Sequence, residues 1–89
     1  MRLEKDTPTR VTVSIFDQEY VVRSREEAEY VRMLSEFVDQ RMREIKHKSP
    51  HLSTVKVAVL TALNLAHELM KVQEDYEGLV NLIEEAKRR

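Results

Sequence analysis

Three histidines are the side chains of this 89-residue sequence best suited to hold a metal or move a proton, and their spacing argues against both. His47 and His51 stand four apart, the interval that stacks two imidazoles on one helical face. Ser49 and Pro50 lie between them, and a proline turns the preceding residue away from helical geometry, so the pair reads as loop residues. His67 has no second ligand at a usable spacing and reads as a partly exposed structural histidine. Glu84 and Glu85 are neighbours that a helix would point to different sides, unlike a paired acid and base. With no cysteine there is no thiolate ligand and no disulfide, and a single glycine cannot build a phosphate cradle. The expectation is a protein with no catalytic residue, no metal and no cofactor: not an enzyme. Phe16, Tyr20, Tyr30, Phe37 and Tyr76 read as packing residues rather than platforms for stacked bases.

Charge points the same way. Charged residues are 35% of the chain, yet 15 basic and 16 acidic side chains nearly cancel, leaving −1. A nucleic-acid partner needs a concentrated basic surface, and the only basic runs are Lys46-His47-Lys48 and Lys87-Arg88-Arg89. Both read as solvated ends placed favourably on helix dipoles. Arg2, Glu4, Lys5 and Asp6 do not resemble a signal peptide, and no run approaches 18 apolar residues. The expectation is a cytoplasmic protein with no nucleic-acid partner and no membrane insertion.

What remains is mechanical. Val55, Ala58, Ala62, Leu65, Leu69, Val72, Tyr76, Leu79, Ile83 and Ala86 alternate by three and four positions, which sets them on one stripe of a long helix. A helix over 53–88 would be roughly 50 Å long. Nothing else in the sequence is long enough to cover that stripe, so the simplest cover is a second copy of the chain. From Val55 to Met70 the stripe is joined by Val59, Leu60, Leu63, Ala66 and Met70, a breadth that needs more than one neighbour. Beyond Lys71 it narrows to a single seam.

Upstream, residues 1–9 are polar and read as a flexible leader. Val11, Val13 and Ile15 alternate with polar residues, and a second short run follows Asp17-Gln18. If Asp17-Gln18 is the turn of a hairpin over 10–23, Ile15 lies opposite Tyr20 and Val13 opposite Val22. Five apolar side chains then share one face. Ser24 followed by Glu27 forms a capping box, which predicts a helix over 25–46. Ser49-Pro50 ends it, and Ser53 or Thr54 can cap the next one. The fold class expected is α+β, mostly α: an N-terminal β-hairpin and two helices, the second long and ending in a coiled coil. A dimeric helical-bundle head would span 10–70, including helix 53–70, with 71–89 as its coiled-coil extension.

This order resembles the bacterial cell-division family ZapA, most of all its short Gram-positive members. Val11-Thr12-Val13-Ser14-Ile15-Phe16, Gln18-Glu19-Tyr20, Val38-Asp39-Gln40-Arg41-Met42-Arg43-Glu44-Ile45 and the run from Lys56 to Leu69 carry the resemblance. It spans roughly 11–86. The resemblance implies a non-enzymatic protein that binds FtsZ, the tubulin-like GTPase of the division ring, and bundles its filaments at mid-cell. It also implies a homodimer, joined in some members tail to tail into a homotetramer. The tail here is short, so a dimer is expected. Asp17 stands where family turns often carry glycine. The expected filament contacts are outward polar positions: Arg32, Glu36, Asp39 and Arg43 on the first helix, and Asn64, grouped with Thr61, Glu68 and Lys71, on the second. The alternative is a generic coiled-coil adaptor with an unrelated partner. A DNA-binding zipper is disfavoured, because 46–56 holds only three fixed positive charges.

Overall fold

A computed structural model describes residues 4–88, with side chains from residue 7 onward. Strand β1 (Glu4–Ile15) and strand β2 (Gln18–Glu26) form an antiparallel hairpin, followed by helix α1 (Ala28–Lys48) and helix α2 (Thr54–Lys87). The architecture is the expected hairpin and two helices, the second long.

The hairpin turns one residue earlier than its polar pair suggested. Phe16 and Asp17 occupy the turn with φ of 52° and 66°, the left-handed geometry that matches the twist of a two-residue hairpin. Ile15 therefore pairs with Gln18, Val13 with Tyr20 and Val11 with Val22. This register is displaced by two residues from the expected one. A strand repeats every two residues, so the same five side chains still share one face.

A positive φ suits aspartate but is an outlier for a bulky phenylalanine. Helix α1 holds it in place. The Phe16 N–H donates to Asp39 Oδ1 at 2.6 Å, and Arg43 donates to both Asp17 Oδ1 and Asp39 Oδ2 at 2.9 Å. The Arg43 guanidinium also stands 5.8 Å from the centre of the Phe16 ring.

Both hairpin arms are longer than expected. Residues 4–9, assigned from their polarity to a flexible leader, belong to β1, because β2 runs on to Glu26 and offers them a partner. Residues 1–3 of that leader lie outside the described residues. Ser24 does not cap a helix beginning at Arg25. Its hydroxyl accepts the Glu26 N–H at 2.9 Å, a local bond two residues on that competes with capping. Helix α1 starts at Ala28 behind Glu27, which makes no side-chain cap, and it runs two residues past Lys46. The second cap is as expected: the Ser53 hydroxyl accepts from the Lys56 N–H at 3.2 Å.

Alternation in β1 brings Val11 and Val13 onto Val31 of α1, with Ile15, Val22 and Ala28 packed around them. A second buried spot, Met42 of α1 with Val57 and Thr61 of α2, lies where the helices meet. Val11, Val13, Val31, Met42 and Val57, with the two polar residues Ser35 and Thr61, are all that is buried among the described residues. The reason is shape: the chain measures 55 × 41 × 14 Å, little more than one helix thick, and such a plate cannot enclose a core.

Candidate functional site

Helix α2 offers its neighbours two different stripes. One carries Val57 and Thr61, 0% and 3% exposed, and continues to the half-buried Glu68; it faces α1. The other is the seam read from the sequence, and the single chain leaves it uncovered. Val55, Leu69, Val72, Tyr76, Leu79 and Ile83 are 47–72% exposed; Ala58, Ala62 and Ala86 are exposed, and Leu65 is half-buried. Val59, Leu60, Leu63 and Met70 on α2, and Met33, Leu34 and Phe37 on α1, are exposed as well. Uncovered apolar side chains are therefore found on both helices.

Thr61 and Glu68 were expected to face outward with Asn64. They face α1 instead. The Thr61 hydroxyl donates to the Val57 carbonyl at 2.7 Å, one turn back, and Ser35 donates to the Val31 carbonyl at 2.9 Å. Once its hydroxyl is satisfied within its own helix, a threonine presents a methyl group and packs like a small valine. Glu68 is drawn in by Arg41, whose guanidinium grips both carboxylate oxygens, Nη2 to Oε1 at 2.8 Å and Nη1 to Oε2. Arg41 also lies 4.8 Å from the centre of the Phe37 ring. This fork holds the Glu68 carboxyl below its usual range. Asn64 and Lys71 remain exposed.

The four charged residues expected along α1 divide into two pairs. Asp39 and Arg43 are taken up by the hairpin turn. The Arg43 hydrogen bond, then the Phe16 N–H, lower the Asp39 carboxyl below its ordinary 3.8. Arg32 and Glu36 stay exposed and flank a shallow groove with Ser35 and with Thr12, Val13 and Ser14 of β1. Arg32 reaches back to Glu29 at 3.6 Å, a weak surface pair. The Asp39–Arg43 pair has the ordinary i,i+4 spacing of a helix; the link from Asp39 to residue 16 carried no sequence signal, because it spans 23 positions.

Replacing Asp39 with alanine strands the Phe16 N–H and frees Arg43, and a denaturant titration should show an earlier midpoint. The pH dependence has a definite sign. A carboxyl lowered by folding contributes stability that is present above its unfolded value and lost as pH falls through the folded one. The Phe16 and Asp17 amide signals should therefore disperse normally at neutral pH and begin to shift as pH drops below about 3.8. The Asp39→Asn variant should show no such step.

The profile of the family described as cell division protein ZapA matches residues 11–89. The chain belongs to the ZapA family. It is 40% identical to the cell division protein ZapA of Geobacillus sp. (strain WCH70) over 79 residues, 89% of this chain and 91% of that one. The Bacillus anthracis ZapA is 39% identical over 89% of each chain. Among solved structures, a ZapA mutant dimer from Geobacillus stearothermophilus superposes with a TM-score of 0.70 at 34% identity, covering 94% of this chain and 98% of that one. An unknown conserved bacterial protein from Pseudomonas aeruginosa PAO1 superposes at 0.72 with 26% identity, covering 90% of this chain and 89% of that one. No helix among the described residues of this ZapA-family chain is long and apolar enough to cross a membrane.

Proposed function

We propose that the chain works as a homodimer that binds FtsZ at the division site and cross-links its filaments. The observation that carries this reading is the uncovered seam of α2. Each large seam side chain gains roughly 1.5–3 kcal/mol on full burial. Leaving six of them wet forfeits on the order of 10 kcal/mol, comparable with the whole stability of a small domain. A relative of this family was solved as a dimer, and its fold covers almost the whole chain. The seam between 55 and 70 would join two protomers into a helical-bundle head, and 71–89 would extend it as a short coiled coil. Little more than two heptads lie in that extension, which favours a dimer over a tail-to-tail tetramer.

A dimer presents every outward surface twice on one rigid frame, and two weak contacts joined in this way bind filaments far more tightly than either alone. The surface assigned to FtsZ is the exposed pair Arg32 and Glu36 beside β1, together with Asn64; Asp39 and Arg43 support it by fixing the turn. Two measurements test the proposal. Light scattering at micromolar concentration should return twice the chain mass, and a folded single subunit would refute the reading. Filament pelleting should show FtsZ bundles with the native protein. The Arg32→Glu, Glu36→Lys double variant should keep its dimer mass and bind about tenfold more weakly, the loss of roughly 1.4 kcal/mol from charges at the edge of a contact.

A further inference from the structure

The outer face of the hairpin carries a group of arginines that the fold does not use. Val11, Val13 and Val22 face the core, so strand alternation turns Arg10, Thr12, Val21 and Arg23 the other way. Arg10 pairs directly with Arg23 across the ladder, and Arg25, two residues further along β2, shares their side of the strand. All three are exposed, and none forms an ion pair with another described residue. Like charges placed directly opposite, about 4.5–5.5 Å apart at their Cβ atoms, weaken a hairpin. The benefit of this pair therefore lies outside the folding of the single chain.

We propose that this arginine face is a docking surface for an acidic polypeptide segment of a partner protein. Guanidinium groups match carboxylates in a two-pronged geometry. Thr12 and Val21 form the next-but-one cross-strand pair toward the turn, and Val21 is 61% exposed, so an apolar side chain of the segment would find a contact beside the charges. That mixture of arginine and β-branched side chains suits a polypeptide better than a phosphate polymer. A chain of net charge −1 also lacks the broad basic field that nucleic acid or an anionic membrane would require. The surface lies on the face of the hairpin turned away from α1, and its test does not depend on FtsZ being the partner.

The experiment titrates the full-length, 15N-labelled protein with an unstructured 20-residue peptide rich in aspartate and glutamate, with duplex DNA, and with vesicles containing phosphatidylserine. The peptide should shift amide signals at 10–12 and 21–25. In the Arg10→Gln, Arg23→Gln variant its affinity should fall about tenfold, while the thermal midpoint stays equal or rises because the repulsion is gone. Shifts centred on α1 or α2, or unchanged affinity in the variant, would overturn the proposal. A lowered midpoint would show the arginines to be structural and would also overturn it. So would tighter binding of DNA or vesicles at the same residues, in favour of a phosphate-bearing partner.

Discussion

Exchanging Leu69 and Val72 for glutamate should abolish self-association at micromolar concentration and, with it, every filament-bundling activity. Both side chains lie on the seam, 58% and 65% exposed in the single chain, so the change costs a lone protomer little. In a dimer it removes four apolar side chains, two from each copy, at roughly 1.5–3 kcal/mol apiece, and sets like charges against one another. Even half of that sum lowers the association constant by about two to four powers of ten. Helical circular dichroism should fall as well. Residues 71–87 of α2 are exposed apart from the half-buried Val80, and an isolated helix of that length is marginal in water. Sedimentation should return a single chain mass with reduced helix content. Retention of the dimer would move self-association elsewhere on the surface, and the exposed Leu34 and Phe37 of α1 would be the next face to test.

Val57→Asp should unfold the head outright. Val57 is fully buried, whereas Val55 and Val59, two residues away on either side, are 72% and 59% exposed. A carboxylate at 57 would be buried where α1 and α2 meet; Arg41, the α1 cation that grips α2, is already engaged by Glu68, eleven positions further along the helix. An unpaired buried charge costs about 4 kcal/mol or more, a large share of what a domain this size can hold. The same substitution at Val59 should leave the protomer folded. Val57→Ala, which only empties space, should cost about 2 kcal/mol and keep the structure. Chemical denaturation of the three variants, at one fixed protein concentration because folding and dimerisation are linked, separates these outcomes. Equal losses at 57 and 59 would mean that the two positions are buried alike in the working assembly.

The same contrast shows which kinds of information the chain carries openly. Strand alternation put the correct five side chains on the core face of the hairpin although its register was displaced by two, because the pattern is blind to an even shift. The turn itself was not legible. Phe16 takes a left-handed conformation that its side chain disfavours, and the groups that stabilise it, Asp39 and Arg43, lie more than twenty positions away. Ser24 met every local condition for a helix cap, yet the extended pairing of β2 reached it first. Polarity does not mean exposure at Thr61 and Glu68. One satisfies its hydroxyl on its own helix and the other is paired by Arg41, so both can sit at the helix junction.

Periodicity alone therefore determined the elements, their order and the long apolar seam, since each of these follows from spacing along a regular helix or strand. Only the tertiary structure decided which stripe of α2 belongs to α1, which charged residues of α1 are occupied by the hairpin turn, and which arginines are left facing solvent. Those choices depend on contacts between residues distant in the chain, where a side chain's environment is set by what packs against it rather than by its own polarity.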